Sequence, residues 1–261
     1  MLPMGNVIAI SSQKGGVGKT TTAINLATSL AIFEQTVLII DLDPQGSVGI
    51  SFHLDEYNVK FGLYEVIVKN LPLAHTILNS GLDYLDLVPA NIHSEEQEIE
   101  LYGKALKLDL LKTIIAPVKN GYDFIIVDCP PNLGSMTLNG LVAADAVIIP
   151  VVSEYYSMKA LGKFLNTLKN ISKKYNPHLK IAGILVTMFD KRIKKHKEIV
   201  EYLRTTFREL VFDTVIPRNS KVAEAPSFGK PVLLHSIKSE GAISYLKLAE
   251  EIMKKKIENK L

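Results

Sequence analysis

The sequence predicts an α/β fold, a mostly parallel, twisted β-sheet with helices on both faces. Three observations point there. Short apolar runs rich in β-branched residues alternate with helix-like stretches along the chain, as parallel strands joined by crossover helices require. Several of those runs are apolar almost throughout, as strands covered on both faces are. The first run leads directly into a glycine-rich loop and then a helix, the setting of a phosphate-binding loop.

The elements follow in order. Strands are expected at VIAIS (7–11), TVLIID (36–41), YLDLVPA (84–90), DFIIVD (123–128), AVIIPVV (146–152), KIAGILVT (180–187) and FDTVIP (212–217). Helices are expected near 19–33, 95–116, 135–143, 157–175, 193–210 and 240–257. No repeat, low-complexity tract or clear linker interrupts them, so the chain reads as a single domain over 1–261. With the first strand starting near residue 7, no DNA-reading domain is expected ahead of it.

Composition narrows the function classes. The 261 residues suffice for a substantial core. Cys129 is the single cysteine, which excludes an intramolecular disulfide and a paired-cysteine zinc or cluster site within one chain. The first residues, MLPMGN, do not resemble a signal peptide, and no apolar run approaches the roughly 18 residues of a membrane span. A cytoplasmic location is the expectation. The net charge of +3 conceals an asymmetry: residues 1–158 hold 8 Lys/Arg against 17 Asp/Glu, and residues 159–261 hold 22 against 10. Such a split suggests that the basic half meets a polyanion, although solvated helix faces would give the same count.

The loop SSQKGGVGKTTT (11–22) carries the most specific signal. Gly15, Gly16 and Gly18 let backbone N–H groups turn inward as an anion nest. The following helix adds the partial positive charge of its N-terminus. Lys19 would reach β- and γ-phosphates, and Thr20 would ligate Mg²⁺. The usual G-x-x-x-x-G-K-[ST] pattern fails at its first position, where Gln13 stands. A dinucleotide fold with Asp41 as the ribose-binding acid is the alternative, but G-x-G-x-x-G is absent. A P-loop NTPase is therefore the reading. Two segments supply carboxylates for it. TVLIIDLDPQG ends in Asp41 and Asp43, whose i, i+2 spacing points both the same way along an extended chain. DFIIVDCPPNLG closes an apolar strand with Asp128, which resembles a Walker B carboxylate acting on Mg²⁺ through water, with a stiff Pro130-Pro131 turn beyond it.

KGGVGKTT resembles the deviant Walker A motif of the ParA/MinD ATPases. That resemblance implies that Lys14 reaches across a homodimer to the partner's ATP and that Gly15 lies where the subunits meet. It implies an ATP site of Lys14, Gly15, Gly16, Val17, Gly18, Lys19, Thr20 and Thr21, with Pro217 and Asn219 holding the adenine. The cofactors would be ATP and Mg²⁺, and the catalytic residues Lys14, Lys19 and Asp43. The D-x-D-P-Q segment implies that Asp43 positions the attacking water, with Asp41 supporting it. Ser47 stands where the family often has Asn. EYYSMKAL (154–161) resembles a segment near the dimer interface, and VIPRNSKVAEAPSFGKP (215–231) the family's C-terminal segment.

The relatives separate on their own residues. Nitrogenase iron protein-like reductases and iron–sulfur carriers need cysteines this chain lacks. ATP-dependent synthetases of the same fold typically lack the paired-lysine loop. MinD-like membrane ATPases end in an amphipathic helix. The last helix here does present Ile243, Leu246, Ala249, Ile252, Met253 and Ile257 at helical spacing, near Lys254–Lys256. It lacks bulky aromatics for an interface, and packing on the sheet is the expected role. ParA proteins bind DNA non-specifically. Arg192 matches a family DNA-contact position, and Lys221 stands where arginine is common. Lys191, Lys194, Lys195 and Lys197 would add phosphate contacts. The resemblance thus implies a ParA/Soj-type partition ATPase, nucleoid-associated, which binds double-stranded DNA as an ATP dimer and is stimulated by a ParB-like partner.

Overall fold

A computed structural model describes residues 5–54 and 59–261; the side chains of Tyr155 and Tyr156, within the expected interface segment, lie outside that description. Eight strands form one sheet: β1 (Asn6–Ile10), β2 (Val37–Asp41), β3 (Leu78–Leu82), β4 (Leu85–Val88), β5 (Phe124–Asp128), β6 (Ala146–Val152), β7 (Lys180–Phe189) and β8 (Val211–Pro217). Their spatial order is β3-β4-β2-β5-β1-β6-β7-β8, parallel throughout except for β3 against β4. The helices are α1 (Lys19–Ile32), α2 (Ser47–Ser51), α3 (Leu63–Lys69), α4 (Glu95–Lys104), α5 (Leu110–Ile115), α6 (Ser135–Ala143), α7 (Tyr155–Lys174), α8 (Lys194–Phe207), α9 (Ser220–Glu224), α10 (Val232–His235) and α11 (Glu240–Ile257).

The central strands feed two cores, one on each side. On β1, Val7 and Ala9 join the layer of α3 to α8, while Ile8 and Ile10 join the layer of α1, α2, α10 and α11. Leu38 and Ile40 of β2 split from Val37 and Ile39 in the same way. This alternation is the period-2 geometry of a strand read from both faces. It is why the strands look apolar throughout.

Every expected strand is present within two residues of its bounds at each end. Three differences have local causes. The antiparallel edge strand β3 was not anticipated, because LNSGL alternates exposed and half-buried positions and has no apolar run. The expected helix over 95–116 divides into α4 and α5. Asn139 accounts for the break: its Nδ2 donates to Ala105 O at 2.7 Å and its Oδ1 accepts from Leu111 N at 3.1 Å. One side chain thereby satisfies the end of one helix and the start of the next. The helix expected to reach residue 210 stops at Phe207, where Arg208 takes φ 47° and a short 3₁₀ turn follows.

The last helix packs on the sheet. Ala242, Tyr245, Leu248, Ala249 and Ile252 are buried in the α1 layer, and Leu246 and Met253 are partly buried against it. Ile243 and Ile257 remain exposed. Lys256 bonds Asp123 at 3.2 Å and stands 4.3 Å from the Phe124 ring centroid, which fixes the basic end to the sheet. Among the described residues, no helix is long and apolar enough to cross a membrane.

Candidate functional site

In an open α/β sheet, ligands bind beyond the carboxyl ends of the strands. Here the ends of β1, β5 and β6 gather buried oxygens without partners. Ser11 Oγ, Ser153 Oγ and both carboxylate oxygens of Asp128 have no hydrogen-bond partner among the described residues. Such orphaned atoms are rare in native interiors and call for a ligand, ion or water.

The glycine-rich loop sits over these ends. Gly16 and Gly18 take φ 68° and 83°, the left-handed region that glycine enters without cost. Gly18 then starts α1, and Thr22 N donates back to its carbonyl at 2.9 Å. Val17 is buried, and its carbonyl accepts from Thr187 Oγ1 of β7 at 2.8 Å, which anchors the loop to the sheet.

The two lysines take opposite directions. Lys19 is buried and turns back under the loop, 3.5 Å from Lys14 O. It makes no ion pair among the described residues. Burial lowers its pKa, and the charge of Asp128 opposes that shift. A buried ammonium lacking a contact counter-ion is an acceptor site for an anion. Lys14 turns away from the loop, 2.6 Å from Glu154 Oε2 and 3.3 Å from Ser157 Oγ at the start of α7. Gly15 has open space around it. Among the described residues, a Cβ there would meet only Pro131 Cβ, at 3.9 Å. Nothing among the described residues requires glycine at that position.

The carboxylates form a row. Asp41 and Asp128 are register partners on β2 and β5, and both are fully buried. Asp41 accepts from Asp43 N and Val48 N, each at 3.0 Å. It therefore holds the turn on which Asp43 stands, while Asp43 Oδ1 accepts from Gln45 N at 3.1 Å. Burial raises the Asp41 pKa well above the usual carboxylate range, and the adjacent Asp128 adds to the rise. Burial likewise pushes Asp128 up to about 7, opposed by the Thr20 hydroxyl and the Lys19 charge and reinforced by Asp43. Two buried acids side by side resist full ionisation unless a cation joins them. Mg²⁺ bound through phosphates takes one or two protein oxygens and keeps several waters. The orphaned Asp128 oxygens and the Thr20 hydroxyl suit that demand. Cys129 is buried and its thiol is pushed up by burial, the state of an inert packing residue.

A cavity of about 260 Å³ adjoins Thr20 and Thr21, walled by Ser47, Ile50, Val222 and Pro226. Pro217 and Asn219 do not line it. Pro217 instead pairs with Phe189 of β7, and Arg218 N donates to Phe189 O at 2.9 Å; the preceding Met188 has its Cε 3.8 Å from where a Gly18 Cβ would stand. Asn219 caps α9, its Oδ1 accepting from Lys221 N and Val222 N, so its amide N–H groups are the donors left for a base. Sequence reasoning did not single out Met188, Thr187, Glu154 or Ser157. Met188 holds φ 51°, unusual for a methionine and a form of strain that collects at functional sites.

The basic residues Lys191, Arg192, Lys194, Lys195, Lys197 and Lys221 are all exposed. They lie on the loop after β7, the first turns of α8, and α9.

The sequence profile of a family described as an AAA domain matches residues 5–181. The chain is 44% identical over 252 residues to the "Chromosome partitioning protein ParA" of Myxococcus xanthus, covering 97% of this chain and 89% of that protein. It is 42% identical over 249 residues to the "Sporulation initiation inhibitor protein Soj" of Bacillus subtilis, covering 95% and 98%. Among solved structures, a cobyrinic acid a,c-diamide synthase from Mycobacterium smegmatis with a bound ATP analogue and magnesium superposes with a TM-score of 0.80 at 31% identity, covering 98% and 97%. Fold, loop and near full-length identity agree: the chain belongs to the ParA/Soj family of P-loop partitioning ATPases.

Proposed function

We propose that the chain is an ATP-dependent DNA-partition ATPase, working as a nucleoid-associated homodimer with ATP and Mg²⁺ and answering to a ParB-like partner. Lys19, the loop N–H groups from Gly15 to Thr21, and the N-terminus of α1 hold the phosphates of the protomer's own ATP. Pro217 and Asn219 hold the adenine. Thr20 and Asp128 hold Mg²⁺, Asp128 through water. Bound magnesium draws charge from the transferring phosphoryl group. Asp43 orients the attacking water, held in place by Asp41. Lys14 supplies a second positive charge across the dimer, a contribution of the kind that raises phosphoryl transfer roughly 10³–10⁵-fold when an arginine supplies it. Closure of the dimer joins two basic faces, and hydrolysis separates them and releases DNA.

The observation that carries this reading is the divergence of the two lysines. Lys19 lies buried under its own loop, while Lys14 projects from it towards Glu154. Held outside the cradle by Glu154 and Ser157, the Lys14 ammonium is available to a second nucleotide in a way that Lys19 is not. The test compares Lys19→Ala with Lys14→Ala. Lys19→Ala should lose ATP affinity in the monomer. Lys14→Ala should keep that affinity and lose the ATP dimer or its turnover. Equal loss of monomer affinity in both would remove the cross-dimer role.

A further inference from the structure

Four of the six basic side chains expected to contact DNA are ion-paired with carboxylates of their own protomer. Arg192 donates to Asp190 through Nε at 3.0 Å, a terminal nitrogen at 2.7 Å and its backbone N–H at 2.9 Å. Lys195 stands 3.0 Å from Glu198, Lys221 2.9 Å from Glu224, and Lys191 3.6 Å from Glu240. Three of the pairs lie on neighbouring segments, the loop after β7, α9 and the start of α11, and the fourth, Lys195–Glu198, opens α8, which follows that loop. The Lys191–Glu240 pair joins the loop after β7 to the start of α11. Gly241 beside it packs so closely on α9 that a Cβ would meet Val222 Cγ2 at 2.3 Å.

The carboxylates are of two kinds. Asp190 is 11% exposed and takes all three bonds from Arg192. It aims the guanidinium and leaves further N–H groups free for a phosphate. Glu198, Glu224 and Glu240 are 48%, 45% and 69% exposed, and each holds one lysine. Glu224 also stands 3.7 Å from His235 Nε2. Exposed pairs of this kind add little to folding. Their effect falls on whatever competes for the lysines. Counted alone, these six cations exceed the four carboxylates by two.

We propose that Glu198, Glu224 and Glu240 are built-in competitors of DNA phosphate, which keep a single protomer's face too weak to stay on DNA and so make binding depend on the doubled face of the dimer. This rests on the DNA reading under Proposed function. A carboxylate roughly 6 Å from a bound phosphate disfavours binding by about twofold at physiological salt. Six such charges in a dimer compound to roughly 10–50-fold.

The experiment measures binding of the full chain to a random-sequence duplex at several salt concentrations, with Mg-ATP and with Mg-ADP. Wild type is compared with E198Q/E224Q/E240Q and with E95Q/E96Q/E98Q, which makes the same charge change on α4. The face variant should bind at least about tenfold tighter with ATP and should gain measurable binding with ADP. The α4 variant should stay within about twofold of wild type. Single substitutions Glu198→Gln and Glu224→Gln, each expected to tighten binding about threefold, keep the test available if the triple variant does not fold. If wild type binds but the face variants bind no tighter, or if the α4 variant gains as much, the competitor role is overturned and the DNA reading stands. If neither wild type nor the variants bind duplex at low salt with ATP, both fall.

Discussion

Asp128→Asn should make the nucleotide-free protein more stable while abolishing its response to magnesium. Asp128 is fully buried with both carboxylate oxygens unpartnered among the described residues, and burial lifts its pKa to about 7. An unfolded aspartate titrates near 4. The sign follows from linkage: a raised acid pKa leaves stability intact at low pH and erodes it as pH climbs from the unfolded value through the folded one. Three pH units at about 1.4 kcal/mol each set a ceiling of roughly 4 kcal/mol. Sharing of charge with Asp41 and local relaxation reduce this, and about 2 kcal/mol is the working figure. Asparagine keeps the shape without the charge. At pH 8 without ligand the variant should therefore melt about 4–8 °C above wild type, and the gain should fall to about a third near pH 5 and vanish at about pH 4 and below. Saturating Mg-ATP at about 100 times its Kd should stabilise wild type by about 2.7 kcal/mol. The variant should lose the magnesium-dependent part of that shift. Thermal denaturation at about pH 4, 5 and 8, with ATP plus and minus magnesium, reads all of this. A variant that melts below wild type at pH 8, or keeps the full magnesium shift, refutes the reasoning.

Asp43→Ala should bind ATP and accumulate dimer while hydrolysing it barely, because the proposed role is to meet water rather than to hold phosphate; near-normal turnover in a phosphate-release assay removes it from that role. Gly15→Val should melt within about 3 °C of wild type, since among the described residues only Pro131 stands near a Cβ there. It should nonetheless stay monomeric with Mg-ATP on size exclusion, and an unchanged dimer contradicts the sandwich geometry. Asp123 has a lowered pKa: burial opposes ionisation, but Thr36 and Lys256 bond the charged form and outweigh it. Its contribution is present above about pH 4 and lost as pH falls below that. Asp123→Asn should cost about 1–2 kcal/mol at pH 7 and flatten the acid limb of stability in urea titrations between about pH 5 and 3; an unchanged acid limb refutes the assignment.

The sheet was legible because its strands are buried on both faces, and burial of that kind writes itself as continuous apolar runs. The phosphate loop was legible because its glycines, lysines and threonines are contiguous. What escaped depends on partners distant in sequence. The break between α4 and α5 is made by Asn139, about 30 residues on. Lys14 finds Glu154 and Ser157, 140 and 143 residues away. The edge strand β3 has only one sheet neighbour and needs no apolar alternation of its own. The counter-charges on the basic face were half legible. Lys195 with Glu198 and Lys221 with Glu224 sit at i, i+3 on their helices. The Lys191–Glu240 pair exists only once α11 has folded back beside the loop after β7.

The measurement that bears most directly on the proposed function is ATP-dependent partitioning of the intact chain between random-sequence duplex DNA and anionic vesicles. Binding to duplex should require Mg-ATP, fall steeply with salt, and be weak with Mg-ADP. Each phosphate contact contributes roughly −0.9 to the slope of log K against log salt, so Arg192→Ala, lost twice per dimer, should shallow the slope by about 2. Binding to vesicles should be no stronger with ATP than with ADP. Failure to bind duplex at low salt, together with ATP-dependent sedimentation on anionic vesicles, would contradict a DNA-partition role and transfer the ATP-driven cycle to a membrane surface.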